Sequence, residues 1–143
     1  MIRVFLDANV YFSAARSKSG ASAAILEIAK LKQITVLVTR TILREAERNI
    51  RLKEFPYTRL RFYEIVTKIK PTLITIDKKQ AEKRYLKVIN RKDTYVLEGA
   101  RKAKVEYLVT LDKKHFFSKK LRNISFPFQI VTPGQLIRIF ASK

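Results

Sequence analysis

Short, β-branched apolar runs alternate with segments of helical spacing along the whole chain, and this alternation constrains the fold more than any other feature. A strand that reads as a near-continuous apolar run is covered on both faces, and strands separated by helices need crossover connections, so the pattern specifies a parallel α/β domain. Ile2 to Leu6 is such a run and is expected as a buried central strand. Ile34 to Val38, Leu73 to Ile76, Glu106 to Thr110 and Phe128 to Val131 read as the remaining strands. Helices are expected at Asn9 to Ala14 and at Ala21 to Leu31, where Ala24, Ile25, Ile28 and Leu31 share a face. A third runs from Thr41 to about Lys53, with Thr39 or Thr41 as cap, and Pro56 opens a fourth that Pro71 stops after Ile69. Further helices are read from Asp77 to about Val88, from Asp93 to Ala103, and from Pro133 through Leu136, Ile137, Ile139 and Phe140. With no repeat or linker, residues 1–143 read as one domain, and an apolar content of 47% suffices for its core.

Four acids stand where a strand ends or the next helix begins: Asp7, Glu45, Asp93 and Asp112. Carboxyl ends of strands in an open parallel sheet converge on one rim, where ligands bind, so acids far apart in sequence can meet there. Asp7, Asp93 and Asp112 each have a plainer alternative as a helix cap, and Asp77, after the third strand, stands on the same rim with a cap as its simplest reading. Asp93 precedes Val96, Leu97 and Ala100 at helical spacing, which points it toward the sheet, whereas Glu98 falls off that face and reads as solvated. On a helical wheel Glu45 and Glu47 flank the stripe of Ile42, Leu43, Ala46 and Ile50 on opposite sides, and either could face the rim, with Glu45 nearer to it. Asn9 and Thr110 are placed to hydrogen-bond a carboxylate, and Ser13 is a further polar neighbour.

Lys and Arg total 31 against 12 Asp and Glu, a formal net charge of +19. Basic groups spread along the chain and largely unmatched suit a polyanionic partner such as nucleic acid, and a cluster of anions on such a chain needs a local reason, most simply a divalent metal. Lys113, Lys114, Lys119, Lys120 and Arg122, interleaved with Phe116 and Phe117, form the best candidate patch for RNA phosphates and bases, unless the phenylalanines belong to the core. The only histidine, His115, reads as a surface or packing residue near Asp112. Absence of cysteine excludes disulfides, zinc-thiolate sites and thiol catalysis. No apolar run approaches a membrane span and the N-terminus reads as a strand, not a signal peptide, so a cytoplasmic protein away from membranes is expected.

The segments Val4-Phe5-Leu6-Asp7-Ala8-Asn9-Val10, Ile42-Leu43-Arg44-Glu45, Asp93-Thr94-Tyr95-Val96-Leu97-Glu98-Gly99-Ala100 and Tyr107-Leu108-Val109-Thr110-Leu111-Asp112 resemble, in order and spacing, the pattern of PIN domains. In length the chain resembles VapC-type ribonuclease toxins. The resemblance implies a three-layer α/β/α sandwich with a parallel sheet of four to five strands, in which Asp7, Glu45, Asp93 and Asp112 are catalytic and hold Mg2+ or Mn2+ for RNA cleavage. It selects Glu45 over Glu47, because the family pattern has a hydrophobic residue two positions before its acid, as Leu43 precedes Glu45. It also implies a protein antitoxin as partner and admits a homodimer. Many members carry a further acid just before the third motif, where this chain has Asn90-Arg91-Lys92, so basic groups crowd the approach to the site. A hard, oxygen-only ligand set selects Mg2+ or Mn2+ over zinc. Two other readings share these features: a non-catalytic RNA-binding or ribosome-associated module, and a housekeeping RNA-processing nuclease.

Overall fold

The computed structural model describes residues 1–142. Five parallel strands form one sheet in the order β3-β2-β1-β4-β5, with β1 Ile2–Leu6, β2 Ile34–Val38, β3 Thr72–Leu73, β4 Tyr107–Val109 and β5 Gln129–Val131. Between β1 and β2 lie α1 Ala8–Arg16 and α2 Ala21–Lys30; between β2 and β3, α3 Arg40–Lys53 and α4 Pro56–Ile69. The helices α5 Lys78–Tyr85 and α6 Arg91–Lys102 lead to β4, the short helices α7 Lys113–Phe116 and α8 Lys119–Arg122 to β5, and α9 Pro133–Ala141 closes the described chain. Crossovers between parallel strands are right-handed, so a sheet built in one direction from β1 and then in the other must carry its helices on both faces. In accord with this, α1 to α4 pack on one another and α5 pairs with α6, giving a three-layer α/β/α sandwich.

The central strand explains why the layers lie so close. Val4, Phe5 and Leu6 are fully buried, and Phe5 meets α6 where the helix has Gly99. A Cβ at Gly99 would stand 2.5 Å from Phe5 Cζ, so only glycine lets α6 settle on β1. Capping fixes where several helices start: Thr39 Oγ1 accepts from the Ile42 amide at α3, and Thr132 and Gln135 form a capping box at α9. Helix α4 ends where Lys70 turns left-handed (φ 48°) ahead of Pro71.

Several expected boundaries shift. The third strand is only Thr72–Leu73, because both residues are exposed at the sheet edge and just Ile74 continues the ladder, its amide donating to Val38 O. Helix α5 stops at Tyr85 instead of running to Val88. Helix α6 starts at Arg91, two residues earlier than expected, because Asn90 and not Asp93 is its cap. Among the described residues no helix is long and apolar enough to cross a membrane.

Candidate metal centre

Strand order reverses at β1, so its carboxyl end and that of β4 diverge into a crevice. Asp7 stands at that point, directly after β1, where its amide donates to Val109 O. It caps α1, with Oδ1 accepting from the Ala8 amide at 2.8 Å. Its Oδ2 accepts from Thr110 Oγ1 at 2.8 Å and from Asn9 Nδ2 at 3.3 Å. Three donors on one carboxylate leave about one of its four acceptor sites free. Thr110 is fully buried and its hydroxyl is saturated, since it also accepts from the Asp112 amide at 3.1 Å and from Asn9 Nδ2 at 3.3 Å. Asn9 closes the unit by accepting from the Leu111 amide at 3.0 Å. The Asp7-Asn9-Thr110 triangle thus ties the ends of β1 and β4 together.

Asp93 lies at the third position of α6, half-buried. Asn90 Oδ1 accepts from its amide at 3.1 Å while Asn90 Nδ2 donates to its Oδ2 at 2.6 Å, a reciprocal lock that fixes the carboxylate. Asp112 caps α7 through the His115 amide at 3.1 Å, and its Oδ2 meets His115 Nδ1 at 2.7 Å. The same Nδ1 lies 3.8 Å from Asp93 Oδ2. One donor atom each from Asp93, Asp112 and His115 falls within 4.8 Å of the others, a spacing that suits a shared cation. Glu45, on the first turns of α3, faces the same crevice and makes an ion pair with Lys92. These residues, with Asn49, line an open cleft of about 370 Å³.

The electrostatics of the cleft are those of anions held together against their repulsion. Burial pushes the Asp7 carboxyl up to about 6, against the pull of its bonds from Thr110 and Ala8, and the charges of Asp93 and Glu45 add to the rise. Burial also raises Asp93, opposed by the Asn90 bond and reinforced by Asp112 and Glu45. Oxygen donors from carboxylates plus one imidazole suit a hard or borderline divalent ion, so the residues present fit Mg2+ or Mn2+.

The structure therefore brings Asp7, Glu45, Asp93 and Asp112 to one cleft, with Asn9 and Thr110 behind Asp7. Glu47 turns the other way, accepting from Tyr63 Oη at 2.5 Å and facing Arg51 at 3.9 Å. Asp77 only caps α5, accepting from the Lys79 and Gln80 amides. Lys113, Lys114, Lys119, Lys120 and Arg122 are all exposed, and none is ion-paired among the described residues. Phe116 is in the core at 1% exposure and Phe117 packs partly against it, so Phe116 is not available to stack on a base. Glu98 is not solvated: it is 3% exposed and receives Arg84 Nε at 3.1 Å, Arg101 Nε at 2.9 Å and Arg101 Nη2 at 2.8 Å. Sequence reasoning missed Asn90 and Asn49 and undervalued His115. The spacing Asn90-x-x-Asp93, a cap signature, could have found the first.

A family model described as the PIN domain matches residues 3–114, a span that holds all four acids. A chain of the crystal structure of VapBC2 from Rickettsia felis, bound to a DNA fragment from their promoter, superposes with a TM-score of 0.68. That match covers 92% of this chain and 98% of the other at 14% sequence identity, and likeness at that identity is likeness of fold. No curated protein matches the sequence.

Proposed function

Because the chain belongs to the PIN-domain family, we propose that it is an Mg2+- or Mn2+-dependent endoribonuclease, the toxin of a toxin-antitoxin pair. The observation that carries the reading is the convergence of Asp7, Glu45, Asp93 and Asp112 on one cleft of a chain whose net charge is +19. The charges of neighbouring acids contribute to the raised carboxyls of Asp7 and Asp93, and a cation in the cleft relieves that repulsion.

Asp93 and Asp112, with the free lone pair of Asp7, supply the oxygens that would hold an ion, and Glu45 completes the acidic set. When bound, such an ion supplies a water of lowered pKa and a Lewis acid for the phosphoryl oxygen. The chain's own residues do the rest. Thr110 and Asn9 fix the Asp7 carboxylate, Asn90 fixes Asp93, and His115 orients Asp112. Lys113 and Lys114 follow Asp112 directly, so exposed positive charge borders the cleft where an RNA backbone must pass. Lys119, Lys120 and Arg122 on α8 add further exposed positive charge, and each phosphate such groups neutralise releases counterions, so RNA affinity falls steeply with salt.

An antitoxin partner is supported by the likeness to a chain of a VapBC complex and by an apolar groove of about 470 Å³ between α3 and α4, lined by Leu43, Phe62, Tyr63 and Val66. The decisive test is RNA cleavage with Mg2+ or Mn2+ against chelator, run beside Asp7→Asn. Cleavage that needs the ion and is lost in the variant supports the nuclease. RNA binding of equal strength in chelator with no cleavage under any condition favours the non-catalytic module instead. Expression that arrests growth in the wild type but not in Asp7→Asn separates a toxin from a housekeeping nuclease.

A further inference from the structure

Among the described residues, Lys92 is the one lysine or arginine that lines the acidic cleft. It occupies the second position of α6, directly before Asp93, and its Nζ crosses to Glu45 on α3 in the ion pair described above. Glu45 thereby stands apart from Asp93, Asp112 and His115, whose donor atoms gather within 4.8 Å of one another. Asp7 is largely committed, to Ala8, Thr110 and Asn9, and keeps about one acceptor site.

Charge counting gives this arrangement a consequence. Four carboxylates would balance two divalent ions. With the ammonium of Lys92 already on one of them, a single divalent ion leaves the cleft slightly negative, whereas a second would leave it positive beside the exposed Lys113 and Lys114. Glu45 would also have to exchange its lysine for that second ion. Resting on the metal-dependent reading above, we propose that Lys92 is the built-in second cation of the site: the cleft takes one divalent ion, beside Asp93 and Asp112, and Glu45 is neutralised by the Lys92 ammonium instead of by a second ion.

The test is calorimetric titration of the purified chain with MnCl2, without RNA. Wild type is expected to bind one Mn2+ per chain, Lys92→Gln two, and Lys92→Arg, which keeps the charge, one. Adding Glu45→Gln to Lys92→Gln is expected to return the count to one, because the second ion needs the carboxylate that the lysine released. Two ions in the wild type, or one in Lys92→Gln, would overturn the proposal while leaving a metal-dependent nuclease intact. Failure of every variant to bind Mn2+ would overturn both, and the two failures are thus distinguishable. Lys92 is largely exposed on the first turn of a helix, so these variants are expected to fold, and unchanged thermal melting in chelator checks it.

Discussion

Asp93 and Glu98 stand on the same helix, α6, within two turns of each other, and the molecule treats their carboxylates in opposite ways. Burial alone would push Glu98 up, yet the Arg101 and Arg84 guanidiniums hold it below the ordinary glutamate range. Asp93 is raised, by burial first and by the charges of Asp112 and Glu45, with only an amide and an imidazole beside it. A chain with 31 basic residues has no shortage of guanidinium. One buried acid is satisfied by two arginines and another is left among like charges, the contrast expected, on the function proposed above, between a structural carboxylate and one that holds a metal.

The largest expected effect breaks the pair at Asp93. Asp93→Asn should lower metal-dependent cleavage by at least about 10²-fold, the scale on which one electrostatic contact to a transition state is felt. Its thermal stability in chelator should not fall, because removing a charge from an anionic cluster relieves repulsion. Glu98→Gln should do the reverse. Loss of the two guanidinium contacts to a buried carboxylate should cost about 1 kcal/mol, a few °C in Tm for a chain of this size, because both arginines stay more than a third exposed and solvated, while cleavage measured well below the melt stays near wild type. Loss of cleavage in both variants without loss of stability in either would remove the distinction between them.

This contrast also shows what the sequence could and could not disclose. Asp7, Asp93 and Asp112 were legible because each follows a strand or opens a helix, and the sheet topology then converts those positions into one crevice. Glu98 was misread because a helical wheel reports only the angle to the apolar stripe. Its partners are Arg101, one turn on, and Arg84, on another helix, and only α5 folding back on α6 supplies the second. His115 was undervalued for a similar reason: its position three residues past Asp112 in a lysine-rich segment says nothing of the 3.8 Å to Asp93. The third strand was misjudged because Ile74 and Ile76 alternate like a strand although little of the segment has a neighbour to pair with. Phe116 looked like part of a basic patch, yet one turn of α7 is enough to carry it into the core.

A smaller effect sharpens the comparison through pH. The Asp7 carboxyl is raised from 3.8 to about 6, so its ionisation is harder in the folded chain than in the unfolded one. Wild-type stability is therefore unpenalised below about pH 4, falls as pH rises through that window, and carries the full cost above about pH 6, at most about 3 kcal/mol. Asp7→Asn lacks the ionisation, so in chelator its stability relative to wild type should rise by up to about 3 kcal/mol between about pH 4 and pH 6, read from paired urea-unfolding series. Glu98 has the opposite sign: its contribution is present above the ordinary glutamate value and is lost as pH falls through its lowered one. Parallel curves for wild type and Asp7→Asn would show that the Asp7 charge is not held against a cost.

The smallest effect belongs to the neighbour that points away. Glu45 and Glu47 leave α3 on opposite flanks of its buried stripe of Ile42, Ala46 and Ile50, and the fold sends the first to the acidic cleft and the second to Tyr63 on α4. Glutamine at 47 can still accept the Tyr63 hydroxyl, and the Arg51 contact at 3.9 Å is a surface pair of little worth. Glu47→Gln should therefore lie within about 0.5 kcal/mol of wild-type stability and leave cleavage and Mn2+ binding unchanged. Glu45→Gln, two residues away and isosteric in the same way, should lose metal-dependent cleavage, since it removes an acid of the cleft and unseats Lys92 together. Steady-state cleavage and thermal melting of the two variants side by side make the comparison, and a loss confined to Glu47→Gln would mean that the cleft is not the seat of the chemistry.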